Sequence, residues 1–75
     1  MKERRIEALK AITEKRKSLG LTQEQVSCAI GYKARQNYNN FESGRRLLPL
    51  EPLKRLQDVL EMKDDEMWQI IKNWN

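Results

Sequence analysis

Arg35, Gln36, Asn39 and Asn40 stand within six consecutive residues, where a surface helix ordinarily carries a scatter of Lys and Glu. Amides and guanidinium groups make paired hydrogen bonds to base edges, Arg to guanine O6/N7 and Asn or Gln to adenine N6/N7. The chemistry on offer is recognition of nucleobases, not bond making. Asn37, Asn39 and Asn40 are weak helix formers, each about 0.5 kcal/mol worse than alanine inside a helix. A helix that accepts that cost has a use for its amides.

Other chemistries find little support. The chain has no His and a single Cys, Cys28, so neither an internal disulfide nor a metal site is expected. No phosphate-binding glycine loop and no paired carboxylates in an apolar setting are evident, so no enzyme activity and no cofactor are expected. No apolar run approaches the roughly 20 residues of a membrane span, and the charged stretch Met1–Arg5 does not lead into a signal-peptide core. No membrane partner is expected, and the cysteine usage fits a reducing compartment. The net charge of +4 is uneven: residues 1–50 carry 11 basic and 5 acidic side chains, and residues 51–75 carry 4 and 6. A basic front and a mildly acidic back suit a molecule that turns one side to a polyanion.

Seventy-five residues make one domain, 1–75, with a modest core that close helix packing or dimerisation must supplement. A first helix is expected over about Glu3–Ser18, with Ile6, Leu9, Ile12 and Leu19 at helical spacing and Gly20 as its stop. Thr22 and Gln25 form a capping box for a second helix, with Val26, Ala29 and Ile30 as its buried stripe. Ser27 and Cys28 are small enough for another helix to approach, and Gly31 ends the segment. A third helix is expected from about Ala34 to Ser43. Ala34, Tyr38 and Phe41 share one face; Gln36, Asn39, Asn40 and Ser43 share the opposite one, with Arg35 on its flank. Gly44 closes it. Pro52 suits the first turn of a fourth helix over about Glu51–Glu61, with Leu53, Leu56, Val59 and Leu60 inward. Asp64 and Asp65 favour the start of a last helix over about 64–74, with a stripe of Met67, Ile70, Ile71 and Trp74. The chain thus reads as all-α, with five helices.

The segments Lys15–Val26, with its Leu21-Thr22-Gln23, then Ile30-Gly31, then Tyr38-Asn39-Asn40-Phe41-Glu42-Ser43-Gly44, resemble the phage repressor and Cro-like (XRE-type) helix-turn-helix family over about residues 6–60. The resemblance implies a compact lambda-repressor-like domain with its helix-turn-helix at about 22–43. It further implies a sequence-specific regulator of transcription, most simply a repressor, that binds double-stranded DNA in the cytoplasm of a prokaryotic or phage system. On matching positions, Arg35, Gln36, Asn39 and Asn40 fall on the base-reading face. Gln23, Lys33, Ser43, Arg45 and Arg46 fall where phosphates are contacted, and Gln23 is also placed to brace the start of the third helix. Arg16 and Glu42 occupy the positions of an internal salt bridge. The sequence departs from the pattern between Gly31 and Tyr38, where it has six residues, one more than the family has. Either the turn is longer or the third helix starts in another register. The family's Ser or Thr cap is also replaced, since Lys33 and Ala34 stand there.

Three base contacts per subunit, from Arg35, Gln36 and Asn40, define only a short half-site, so a homodimer on a near-palindrome is expected. Its contact is placed near the C-terminus, at Met67, Trp68, Ile71 and Trp74, because Trp68 falls off the last stripe. That stripe is equally readable as internal core. No small-molecule ligand is expected, so release from DNA is left to turnover, weak dimerisation or a protein antagonist. The alternative from another class is a protein-interaction module, an antitoxin or adaptor whose main partner is a protein.

Overall fold

A computed structural model describes residues 2–74. Among them the chain forms α1 (Lys2–Ser18), α2 (Gln23–Ala29), α3 (Arg35–Glu42), α4 (Leu50–Val59) and α5 (Asp64–Lys72), with no strand. No helix in this range is long and apolar enough to cross a membrane.

The helix ends follow local chemistry. At Gly20 the backbone turns left-handed, with φ +73°. Thr22 accepts the Gln25 N–H at 3.1 Å through its hydroxyl, and the Gln25 side chain accepts the Thr22 N–H at 2.8 Å, so the capping box forms. The third helix is shorter than the expected 34–43, because Ala34 and Ser43 are its flanking caps. The fourth starts at Leu50 and ends at Val59 rather than Glu61. Glu61 is left-handed at φ 55° and cannot continue the helix. In α5 the Lys63 N–H donates to the Glu66 carboxylate at 2.9 Å.

One core joins all five helices, centred on Ile12, Val26, Ile30, Tyr38, Phe41, Leu56 and Leu60. Its lining corrects three expectations. The inward face of α1 runs through Leu9, Ile12 and Arg16, and Ile6, about a quarter-turn round the helix, is 51% exposed. In α2 the buried face holds Val26 and Ser27, while Ala29 is exposed. Along α5, Met67 and Ile70 are buried and Trp68 is 58% exposed. Trp74 folds back onto Phe41, rings nearly parallel at 5.6 Å, and the Arg5 guanidinium covers it at 5.2 Å from the ring centre. Arg5 also donates to the Trp74 carbonyl. Met67 and Trp74 therefore pack within the chain, Trp74 half-buried, and Ile71, expected on the inward stripe, is 37% exposed. Trp68 and Ile71 still face outward.

Candidate nucleic-acid interface

The α2–α3 connection is built by backbone and one buried hydroxyl. Gly31 takes φ +103°, and a Cβ there would lie 2.8 Å from Nη1 of Arg55, so a side chain would meet both strain and a guanidinium. The Gly31 and Tyr32 N–H groups donate back to the carbonyls of Cys28 and Ser27 at 3.1 and 3.0 Å. Ser27, fully buried, donates its hydroxyl to the Ala34 carbonyl at 2.6 Å. Ala34 itself has no side chain able to cap α3. The helix runs unbroken from Arg35, so the extra residue lies in the connection and not in the helix. Arg35 and Gln36 accordingly stay exposed on its first turn.

The other end of α3 is anchored by charge. Arg16 grips Glu42 through two parallel hydrogen bonds, Nε to Oε2 at 3.0 Å and Nη2 to Oε1 at 2.9 Å. Its Nη1 donates to the Leu21 carbonyl at 2.9 Å. The two side chains are only 10% and 6% exposed. Burial, the largest single influence, would lift the Glu42 carboxyl, but the hydrogen bonds and charge of Arg16, together with the nearby Tyr38 and Thr13 hydroxyls, hold the group below its ordinary 4.5. The hydrogen bond to Glu42 likewise raises Arg16, so the pair stays charged. The Tyr38 hydroxyl is buried beside it, out of hydrogen-bonding geometry with any of the described residues, and burial first and the neighbouring Glu42 carboxylate second push its pKa well above the usual tyrosine range.

Between these ends lies an outward face of amides. Gln36 Nε2 donates to Asn40 Oδ1 at 2.9 Å and to Asn39 Oδ1 at 3.5 Å. Asn39 Nδ2 donates to Gln23 Oε1 at 3.2 Å, and Gln23 Nε2 donates to Glu42 Oε1 at 3.4 Å. Gln23 thus braces the second half of α3 rather than its first residues, because the start of α2 packs against that half. Gly44, at φ +83°, turns the chain out of the helix. The Asn40 carbonyl then accepts the N–H groups of Arg45 and Arg46 at 2.8 and 3.1 Å, and the Ser43 hydroxyl at 3.3 Å. This ties the arginine-bearing loop to the same helix.

Arg35, Gln36, Asn39 and Asn40 are therefore brought together, Arg35 and Gln36 exposed and Asn39 and Asn40 half-buried. Lys33 lies beyond one end of this group, and Ser43, Arg45 and Arg46 beyond the other, all exposed. The Arg16–Glu42 bridge is the one ion pair among the described residues, so Lys33, Arg35, Arg45 and Arg46 have no carboxylate partner there. Sequence reasoning missed the roles of Ser27 and of Gln23 toward Asn39. The signal for Ser27 was a lone hydroxyl one position along the helix from Val26.

Residues 12–67, more than half of the chain, match the family model described as Helix-turn-helix. No curated protein and no solved structure matches the chain.

Proposed function

Because this chain belongs to the XRE-type, Cro-like helix-turn-helix family of DNA-binding regulators, we propose that it represses transcription by binding a short inverted repeat as a homodimer. In this reading α3 lies in the major groove and α2 crosses the backbone. The observation that carries it is the outward face of α3: three base-reading side chain types, no carboxylate among them, and unpaired cations at both ends.

Arg35 would pair with a guanine O6/N7 edge, and Gln36 Oε1 and Asn40 Nδ2 together with an adenine N6/N7 edge. Each good bidentate pair is worth about 1–3 kcal/mol of discrimination. Asn39 borders this face and supports it. Lys33, Ser43, Arg45, Arg46 and the free N–H of Gln23 would hold phosphates and set the register without reading sequence.

Two copies make such a half-site useful. Leu50, Trp68 and Ile71 line a cleft of about 180 Å³ between α4 and α5, floored by Leu53 and Met67. Leu50 is 67% exposed. Its lining also holds Lys54 and Asp64, one charge of each sign. A two-fold contact would set the Lys54 of one copy within reach of the Asp64 of the other. We place the dimer contact at Trp68 and Ile71, extended to Leu50.

Selection of bound sites from random duplex DNA tests the reading, with Arg35→Ala and Gln36→Ala compared on the winning site at fixed salt. The expected result is an inverted repeat whose preference relaxes at single positions in each variant. Sedimentation at tens of micromolar, with and without that site, should give a dimer that Trp68→Glu dissociates. No enriched sequence, with only weak salt-sensitive binding, would overturn DNA reading and favour a protein partner. A monomer under both conditions would overturn the dimer.

A further inference from the structure

The hydrogen bonds around α3 form a directed chain that starts in the interior. We propose that Gln23 is a positioning residue that carries the fixed polarity of the Arg16–Glu42 pair out to Asn39, Gln36 and Asn40, and so sets the donor and acceptor pattern that α3 shows to bases. The inference rests on reading α3 as the base-reading helix.

An ionised carboxylate only accepts hydrogen bonds, whereas an amide has one accepting and one donating end and can turn over. Glu42 is held as a carboxylate by two bonds from Arg16. Gln23 lies 3.4 Å from Glu42 Oε1, so its donating end must face the carboxylate. Reversed, it would set two oxygens against each other. Gln23 Oε1 is thereby turned to Asn39, whose Nδ2 donates to it at 3.2 Å. Asn39 must then show Oδ1 to the outward face, where Gln36 Nε2 donates to it and, at 2.9 Å, to Asn40 Oδ1. Gln36 Oε1 and Asn40 Nδ2 are left unused, an acceptor and a donor side by side. That pair matches the N6 donor and N7 acceptor of adenine.

The 3.4 and 3.5 Å links are weak taken singly. Orientation is nonetheless conveyed at each step, because every reversed amide opposes like ends. Gln23, Asn39 and Glu42 are half-buried or better, so water competes least at the inner links.

One variant separates this role from packing and from phosphate binding. Gln23→Met keeps the length of the side chain and removes both hydrogen-bonding ends. In the free protein, exchange of the side-chain amide protons of Asn39 and Gln36, followed by ¹⁵N NMR, should accelerate severalfold in Gln23→Met. On DNA, the affinity ratio between the selected site and sites altered at the Gln36-dependent base pair should fall about tenfold in Gln23→Met. Unchanged amide exchange in Gln23→Met would overturn the proposal. So would full discrimination with a uniform loss of affinity, which would leave Gln23 a phosphate contact only. The amide measurement needs no DNA. Failure of site selection would therefore count against the base-reading function, while the relay would stand or fall on exchange alone.

Discussion

The two ends of α3 are held by opposite means. At the C-terminal end a bidentate ion pair, a carbonyl contact to Leu21 and the turn at Gly44 lock the helix to α1. At the N-terminal end Ala34 offers no cap, and the buried hydroxyl of Ser27 alone reaches across from α2. The residues assigned to base reading project along this gradient, from Arg35 at the loosely held end to Asn40 near the locked one. Strong and sparse anchorage are thus divided along a helix of 8 residues.

The contrast can be broken most severely at the locked end. Arg16→Met strands a buried carboxylate and should cost about 3–5 kcal/mol in urea unfolding. The same pair makes stability depend on pH. Glu42 titrates below its ordinary 4.5 in the folded state, so its contribution is full above that value and is lost as pH falls through the depressed one. Unfolding followed from neutral to acid pH should show this loss, and Glu42→Gln should flatten it. At the open end Ser27→Ala should cost about 1 kcal/mol, the net worth of one hydrogen bond, because the Ala34 carbonyl keeps the Asn37 N–H at 3.3 Å, with faster amide exchange confined to residues 35–37. Ala34→Ser supplies the missing cap at a residue already extended, φ −118° and ψ 142°. It should raise stability by about 1 kcal/mol and make the two ends more alike. Smallest of all, Arg35→Ala should stay within about 0.5 kcal/mol of the parent in stability while losing discrimination at one base pair. A large stability loss there would mean that Arg35 supports the fold and is not free to read.

Much of this frame was legible in the residues. Gly20, Gly31 and Gly44 mark real stops, Thr22 and Gln25 form their box, and the apolar spacings place the helices within a few residues. The outward amides were legible for a different reason: asparagine is costly in a helix, and a costly choice stands out against a neutral background. What stayed hidden were pairings that depend on distant neighbours. Ser27 is buried because the Ala34 carbonyl satisfies its hydroxyl, a partner seven positions away that no periodicity announces. Ala29 looked like core because it is apolar, yet so small a side chain gains little from burial. Gln23 is expected to brace the start of the third helix, and only the packing of α2 on α3 shows Glu42 and Asn39 on either side of it. The two tryptophans show the same limit: spacing put Trp68 off the stripe, but only packing sends Trp74 onto Phe41.

Those indoles also give the molecule two separate optical channels. Trp74, pressed between a guanidinium and a phenyl ring, emits from a fixed and shielded setting and will shift when the fold opens. Trp68 sits in water and will move to shorter wavelength only when something excludes that water. With Trp74→Phe silencing one channel and Trp68→Phe the other, unfolding and assembly can be followed as different colours of the same protein.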